Sequence, residues 1–153
     1  MEIRLIHTVE AYADARRLFQ EYAQSLPIDL CFQHFDEELN ELESMYASPV
    51  GGIFLLYDGE KAVGCVGVRR FEAGIAELKR MYIQPAYRGQ QFGQLFMNHS
   101  VQLARTLGYR LMRLDTLRSM LPAIQLYRAN GFVETTAYYY NPESDVLYFE
   151  KQL

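Results

Sequence analysis

Residues 81–96, MYIQPAYRGQQFGQLF, run from an apolar segment (Met81 to Ile83) through Pro85, Arg88 and two glycines straight into a helical pattern. A helix N-terminus exposes unpaired N–H groups and carries roughly half a positive charge. A glycine-containing loop in front of it lets a ligand approach the backbone, and an arginine adds a fixed charge with a forked donor. The turn at residues 88 to 94 therefore reads as a candidate pyrophosphate site. The plain alternative is an ordinary strand-to-helix turn, where glycine is also common. Spacing excludes a P-loop, because no G-x-x-x-x-G-K-[ST] occurs, and no G-x-G-x-x-G follows the first strand as a dinucleotide fold would require.

Upstream of this turn, AELKRMYI (76–83) reads as the third strand of a meander. IFLLYD (53–58) turns at Asp58-Gly59 into KAVGCVGVRRF (61–71), and a second turn at Ala73-Gly74 leads on, which predicts antiparallel pairing. Residues 2–7, EIRLIH, alternate as a strand. Thr8 can cap a helix carrying Tyr12, Ala15, Phe19, Tyr22, Ala23 and Leu26, which Pro27 ends. A second helix from Asp36 presents Leu39, Leu42, Met45 and Tyr46 on one face until SPVGG breaks it.

Downstream, Phe92, Leu95, Phe96, His99, Leu103 and Leu107 form a helical stripe that Gly108 can end in a left-handed conformation. RLMRLDTL (110–117) follows as a strand, so strand, helix and strand predict a right-handed parallel crossover. A short helix with Pro122, Leu126 and Tyr127 stops at Asn130-Gly131. FVETTAYY (132–139) and VLYFEKQ (146–152) then close the chain as a hairpin around Asn141-Pro142. The expected fold is a mixed α/β sheet of about seven strands with four helices on its faces.

The 153 residues favour one domain, and 50% hydrophobic with 14% aromatic content argues for a packed core rather than disorder. A net charge of −4 counts against a nucleic-acid or membrane-surface binder. No apolar stretch approaches the roughly 20 residues that span a bilayer. Glu2 and Arg4 interrupt the N-terminus before any signal-like run. Cys31 and Cys65 lack metal-ligand spacing, so the expectation is a cytoplasmic protein with free thiols and no metal.

With the elements in place, AELKRMYIQPAYRGQQFGQLF (76–96) resembles the acetyl-CoA-binding motif of the GNAT N-acyltransferase superfamily, whose core is [R/Q]-x-x-G-x-[G/A]. Arg88 takes the first position and Gly93 the last. Gln91 stands where the middle glycine is usual, while Gly89 fits the common R-G-x-G-x-G form. If position 91 needs a positive φ, its Cβ costs about 1 kcal/mol; if it is helical, nothing. AIQLYRANGF (123–132) is similar to the family's A-x-x-L-Y-x-x-x-G-F signature, and the order of elements is also the family's. The ending, YYYNPESDVLYFEKQL, further resembles a bacterial subgroup of unassigned substrate.

The resemblance implies a single N-acetyltransferase domain over residues 1–153, a mostly antiparallel twisted sheet splayed between the fourth and fifth strands, and acetyl-CoA as co-substrate. It implies direct acetyl transfer to a primary amine of a small molecule or peptide, both substrates bound together. The alternative on the same fold is a non-catalytic acyl-CoA-binding sensor or regulatory module, to which Gln91 and Met120 lend weight. Neither the acceptor nor the oligomeric state is written in the sequence; a homodimer is compatible with it.

By the same resemblance, the main chain around Met81, Tyr82 and Ile83 would pair with the pantetheine arm, and the N–H near Met81 would face the thioester oxygen. Backbone of Arg88, Gly89, Gln90, Gln91, Phe92, Gly93 and Gln94 would hold the pyrophosphate. Thr116, Met120 and Ala123 would flank the thiol end, with Met120 standing where many relatives carry asparagine. An attacking lysine-like amine is neutral only about once in 2,500 at pH 7, a deficit of roughly 4.6 kcal/mol, so a general base helps. Glu77 matches the family's strand glutamate and alternates in phase with Met81, which predicts a shared face; pairing with Lys79 or a neighbouring strand is the structural alternative. Tyr127 matches the family's proton-donating tyrosine; the alternative is a ring packed under the sheet with its hydroxyl bound to backbone.

Tyr138 and Tyr139 are candidates for the acceptor pocket, with alternation sending Tyr138 and Tyr140 to one face and Tyr139 to the other. His99 and Cys65 read as packing residues. The acidic residues from Asp29 to Glu43 could steer a cationic amine or be a solvated helix face.

Overall fold

The computed structural model describes residues 1–30 and 34–153, so Cys31 lies outside the described residues. Among them, β1 (Glu2–Leu5) leads into α1 (Val9–Ser25), then α2 (Phe35–Asn40) and α3 (Leu42–Met45). Three strands follow, β2 (Gly52–Asp58), β3 (Lys61–Glu72) and β4 (Ile75–Ile83), and a 3-10 turn at Pro85–Tyr87. The chain closes with α4 (Phe92–Thr106), β5 (Leu111–Leu117), α5 (Leu121–Ala129), β6 (Val133–Thr135) and β7 (Val146–Gln152). Thr8 does cap α1, its hydroxyl oxygen accepting from the Ala11 N–H at 3.1 Å. The expected second helix is two short ones, because Glu41 leaves helical geometry at φ −123°.

The seven strands form one sheet in the order β1-β2-β3-β4-β5-β7-β6. Every neighbouring pair is antiparallel except β4 and β5. The parallel pair comes from the crossover through α4 and holds for only three positions, Ile75 with Leu111, Ala76 with Met112 and Glu77 with Arg113. Beyond Glu77 the two strands part, and among the described residues no strand lies beside the β5-facing edge of β4. β7 lies between β5 and β6, so the last two strands pair as expected but are joined by a long segment, 136–145. Tyr138, Tyr139 and Tyr140 belong to that segment rather than to a strand, and strand alternation therefore does not govern them.

A β-bulge in β4 decides which side chains meet. β3 and β4 pair Cys65 with Tyr82 and then Gly67 with Lys79, so Val66 stands opposite both Arg80 and Met81. Arg80 absorbs the extra residue at φ +59°, a conformation costly for a residue with a Cβ. Alternation changes phase there. Ala76 and Leu78 face the same core as Met81 and Ile83, while Glu77, Lys79, Arg80 and Tyr82 face the other side. The expectation that Glu77 shares a face with Met81 is thus corrected by one inserted residue.

Each face of the sheet carries a core. On one, Leu18 and Phe19 of α1 pack with Leu42, Tyr46, Ile53 and Leu55. On the other, α4 and α5 pack against Phe54, Val66, Leu78 and Leu114. The buried stripe of α4 is Phe96, Met97, Ser100, Val101 and Ala104, rotated from the expected one, so that Leu95 is exposed. Small residues at 100 and 104 let the helix approach the sheet.

Candidate active site

The turn before α4 has the geometry an anion site needs. Gly89 sits at φ +79° with nothing within 4 Å of where a Cβ would point, so the backbone there is open. Gln91 is the N-cap of α4 at φ +64°, ψ 18°, and its side chain makes no capping hydrogen bond to the first turn. The N–H groups of that turn therefore lack a capping side chain. A Cβ on Gly93 would lie 3.2 Å from Leu126 Cδ2, so glycine lets α4 approach α5 closely. Arg88 folds over the turn: its Nε donates to the Ile83 carbonyl at 2.8 Å, and its guanidinium carbon lies 5.7 Å from the centre of the Tyr82 ring.

A cleft of about 650 Å³ runs from this turn into the gap where β4 and β5 part. Met81, Tyr82, Ile83, Arg88, Gly89, Gln91, Phe92, Gly93, Gln94, Thr116, Met120 and Ala123 all line it; of the expected cofactor residues only Gln90 does not. One end is a capless helix N-terminus beside an arginine, and the walls are largely apolar. The residues present fit a diphosphate with a long, mostly apolar arm.

Tyr127 lines the same cleft from the α5 side. Its ring packs edge-on against Phe132 at 6.0 Å, and its hydroxyl has no hydrogen-bond partner among the described residues. The alternative of a hydroxyl tied to backbone is therefore absent. Burial, with smaller contributions from Tyr22 and Asp115, pushes the phenol pKa up, so it stays protonated at neutral pH. Tyr22, across the cleft, is likewise raised by burial, to about 12.

The opposite face of the gap holds a buried ion network that sequence reading did not assemble. Arg80 donates from Nε and Nη2 to the two oxygens of Glu38 at 3.1 and 3.0 Å, and Tyr46 donates to Glu38 at 3.1 Å. Arg69 reaches Glu38 at 3.3 Å and Glu77 at 3.0 Å. Lys79 lies 3.9 Å from Glu77 and 3.8 Å from Asp115. Tyr138 donates to Glu77 at 2.9 Å, and Tyr139 donates to Asp115. Burial would raise the Asp115 carboxyl, but the Lys79 ammonium and the Tyr139 hydroxyl outweigh it and hold the pKa below the usual range. Burial, with Arg80 close by, lowers the Lys79 pKa.

Glu77 is only 2% exposed and lines a separate cleft of about 340 Å³, not the cofactor-sized one. Both its oxygens are engaged, one by Arg69 and one by Tyr138. Tyr138 and Tyr139 point to the same side of the sheet, toward Glu77 and Asp115, whereas Tyr140 is 85% exposed. His99 stacks on Phe54 at 5.2 Å, away from the gap. Cys65 is buried, its thiol donating to the Arg80 carbonyl at 3.2 Å, and burial raises its pKa. Of the acidic run, Glu38 is structural at 1% exposure while Glu37 stands in solvent. Among the described residues there is no cluster of three or more His, Cys, Asp or Glu that could hold a metal, and no helix long and apolar enough to cross a membrane.

The phase change at Arg80 was not readable from an alternating pattern. Asp115 carried one available signal: it precedes Thr116 on the strand that borders the gap.

Known proteins are similar to this chain in sequence and in fold. An uncharacterised N-acetyltransferase of Schizosaccharomyces pombe is 39% identical over 142 residues, covering 92% of this chain and 87% of that protein, so the likeness extends beyond bacteria. An acetyltransferase from Streptococcus agalactiae superposes with a TM-score of 0.81 at 24% identity, over 99% of this chain and 98% of that one. A Salmonella typhimurium protein solved with its cofactor acetyl-CoA superposes with a TM-score of 0.74 at 15% identity, over 99% and 93% of the two chains. The family model described as "Acetyltransferase (GNAT) family" matches residues 12–132, and with the fold and the turn-and-cleft geometry in agreement, this chain belongs to that family.

Proposed function

We propose that the protein is an N-acetyltransferase that passes an acetyl group from acetyl-CoA directly to a primary amine of a small molecule or peptide. The observation that carries this reading is that the anion-binding turn and Tyr127 line one continuous cleft through the β4–β5 gap. Bound acetyl-CoA supplies the activated thioester carbonyl. In this reading, backbone from Arg88 to Gln94 holds the pyrophosphate, and Arg88 swings from the Ile83 carbonyl to reinforce it. The unpartnered edge of β4 at Met81 and Ile83 accepts the extended arm like an added strand. The Met81 N–H is directed at the thioester oxygen, where a preorganised donor favours the charge that develops. Thr116, Met120 and Ala123 flank the thiol, and the Tyr127 hydroxyl donates the proton that the leaving sulfur needs. Glu77 is a positioning residue: it fixes Arg69, Tyr138 and the Lys79 side chain on the acceptor side.

The test is thiol release from acetyl-CoA in the presence of a panel of polyamines, amino acids and peptides. Amine-dependent release with intersecting initial-rate lines supports direct transfer through a ternary complex. If acetyl-CoA raises the melting temperature but no amine yields free thiol, the protein is the acyl-CoA sensor instead.

A further inference from the structure

The cleft presents different chemistry on its two sides. Tyr127 and Thr116 border it on the α4–α5 side of the sheet, Lys79 and Asp115 on the α1 side. An acceptor amine that meets a thioester lying in the gap has to come from the side the leaving thiol does not occupy. Among the described residues, Asp115 is the one carboxylate that lines this cleft. Its side chain is 12% exposed, whereas Glu77 is closed off by Arg69 and Tyr138.

The groups facing Asp115 come from several elements. Lys79 of β4 stands 3.8 Å away, and Tyr139 of the 136–145 segment donates a hydrogen bond to it. Tyr148 is its neighbour on β7, and Arg80 contributes charge from β4. Lys79, Tyr139 and Arg80 outweigh burial and keep the carboxylate ionised at neutral pH, which makes it a poor store for a proton and a good fixed negative charge.

We infer that Asp115 is a catalytic residue that accepts a hydrogen bond from the attacking nitrogen and stabilises the positive charge that nitrogen acquires as it attacks. The inference rests on the acetyl transfer proposed above. The neutral amine forms a C–N bond to the thioester carbonyl carbon, and its nitrogen becomes cationic beside Asp115. The C–S bond breaks, the thiolate takes the Tyr127 proton, and the surplus proton of the nitrogen restores Tyr127. An amine and acetyl-CoA thus give an amide and free CoA with atoms and charge balanced. The carboxylate favours the transition state over the neutral amine that precedes it, so its contribution falls on turnover rather than on acceptor binding. Tyr139 covers the same oxygen in the free protein and gives way to the amine.

The experiment compares the wild-type protein with Asp115→Asn, using ethylamine, spermidine and L-lysine as probe acceptors. The expected result is a kcat lower by about a hundredfold, an acceptor KM within about threefold and an unchanged acetyl-CoA affinity. Rates of both proteins rise with pH as the amine loses its proton, and their ratio stays constant from about pH 6.5 to 9, since Asp115 does not titrate there. An unchanged kcat overturns the inference while leaving acetyl transfer intact. A ratio that closes as pH rises also overturns it, because it assigns proton removal to Asp115. Absence of thiol release by the wild type with every probe overturns both. Asp115→Glu keeps a carboxylate and guards against a folding artefact: it is expected to recover part of the kcat that Asp115→Asn loses, and a kcat no higher than that of Asp115→Asn overturns the role given to the carboxylate.

Discussion

The two sides of the β4–β5 gap are built on different principles. On the α4–α5 side, the site is mostly backbone: a glycine turn, a helix end and the open edge of β4, over an apolar core. On the α1–α2 side it is mostly side chains. Glu38, Arg69, Glu77, Lys79, Arg80 and Asp115 reach it from four elements and are buried as ion pairs. The first kind of site is specified over a few consecutive residues. The second exists only once α2, β3, β4 and β5 have assembled.

That difference is most exposed at Glu38, the carboxylate that joins Arg80 to Arg69. Glu38→Ala leaves the Arg80 side chain, 3% exposed, without its counter-ion, and should destabilise the fold by about 3–5 kcal/mol in urea denaturation. Burial would raise the Glu38 carboxyl, but the Arg80 guanidinium holds it below its usual 4.5. The stability it contributes is therefore full above pH 4.5 and lost as pH falls through the lower value it has in the folded protein. Glu38→Gln should flatten that acid limb, and a limb as steep as the wild type's would mean the pair does not govern it.

Turnover distinguishes the sides next. Tyr127→Phe keeps the ring that packs against Phe132 and Phe149 and removes only the hydroxyl. It should lower kcat about a hundredfold, about 2.7 kcal/mol, with acetyl-CoA affinity unchanged. Equal turnover would return Tyr127 to a packing role. Arg88→Ala acts on binding instead: acetyl-CoA affinity should fall about tenfold, about 1.4 kcal/mol, and the loss should shrink at high salt. An unchanged affinity would mean that Arg88 stays on the Ile83 carbonyl when ligand binds.

Legibility in the sequence follows the same division. The parallel crossover, the Thr8 cap and the turn at residues 88–94 are readable, because each depends on residues near one another in the chain, whereas Tyr127 is singled out only by the resemblance of its motif. Strict alternation puts Glu77 on the face of Met81, and a non-glycine residue at positive φ, Arg80, carries no local signature of the bulge that moves it. Asp115 and Lys79 meet only across the splayed strands. FVETTAYY reads as a strand that carries Tyr138 and Tyr139 to opposite faces, but hydrogen bonds to Glu77 and Asp115 draw both to one side.

The smallest predicted effect lies in the turn itself, and it isolates backbone from side chain. Gln91 holds φ +64° with a Cβ, and Gly89 holds φ +79° without one. Left-handed geometry costs a residue with a Cβ about 1–2 kcal/mol, part of which a glycine gives back through the greater freedom of the unfolded chain. Gln91→Gly should therefore raise stability by less than about 1 kcal/mol, and Gly89→Ala should lower it by a similar amount although its Cβ would touch nothing within 4 Å. Acetyl-CoA affinity, measured by calorimetry, should follow the same signs, since a relaxed turn presents the N–H groups of α4 with no strain to relieve on binding. If Gln91→Gly weakens affinity instead, the glutamine side chain itself contacts the ligand, and the turn is less purely a backbone site than its geometry indicates.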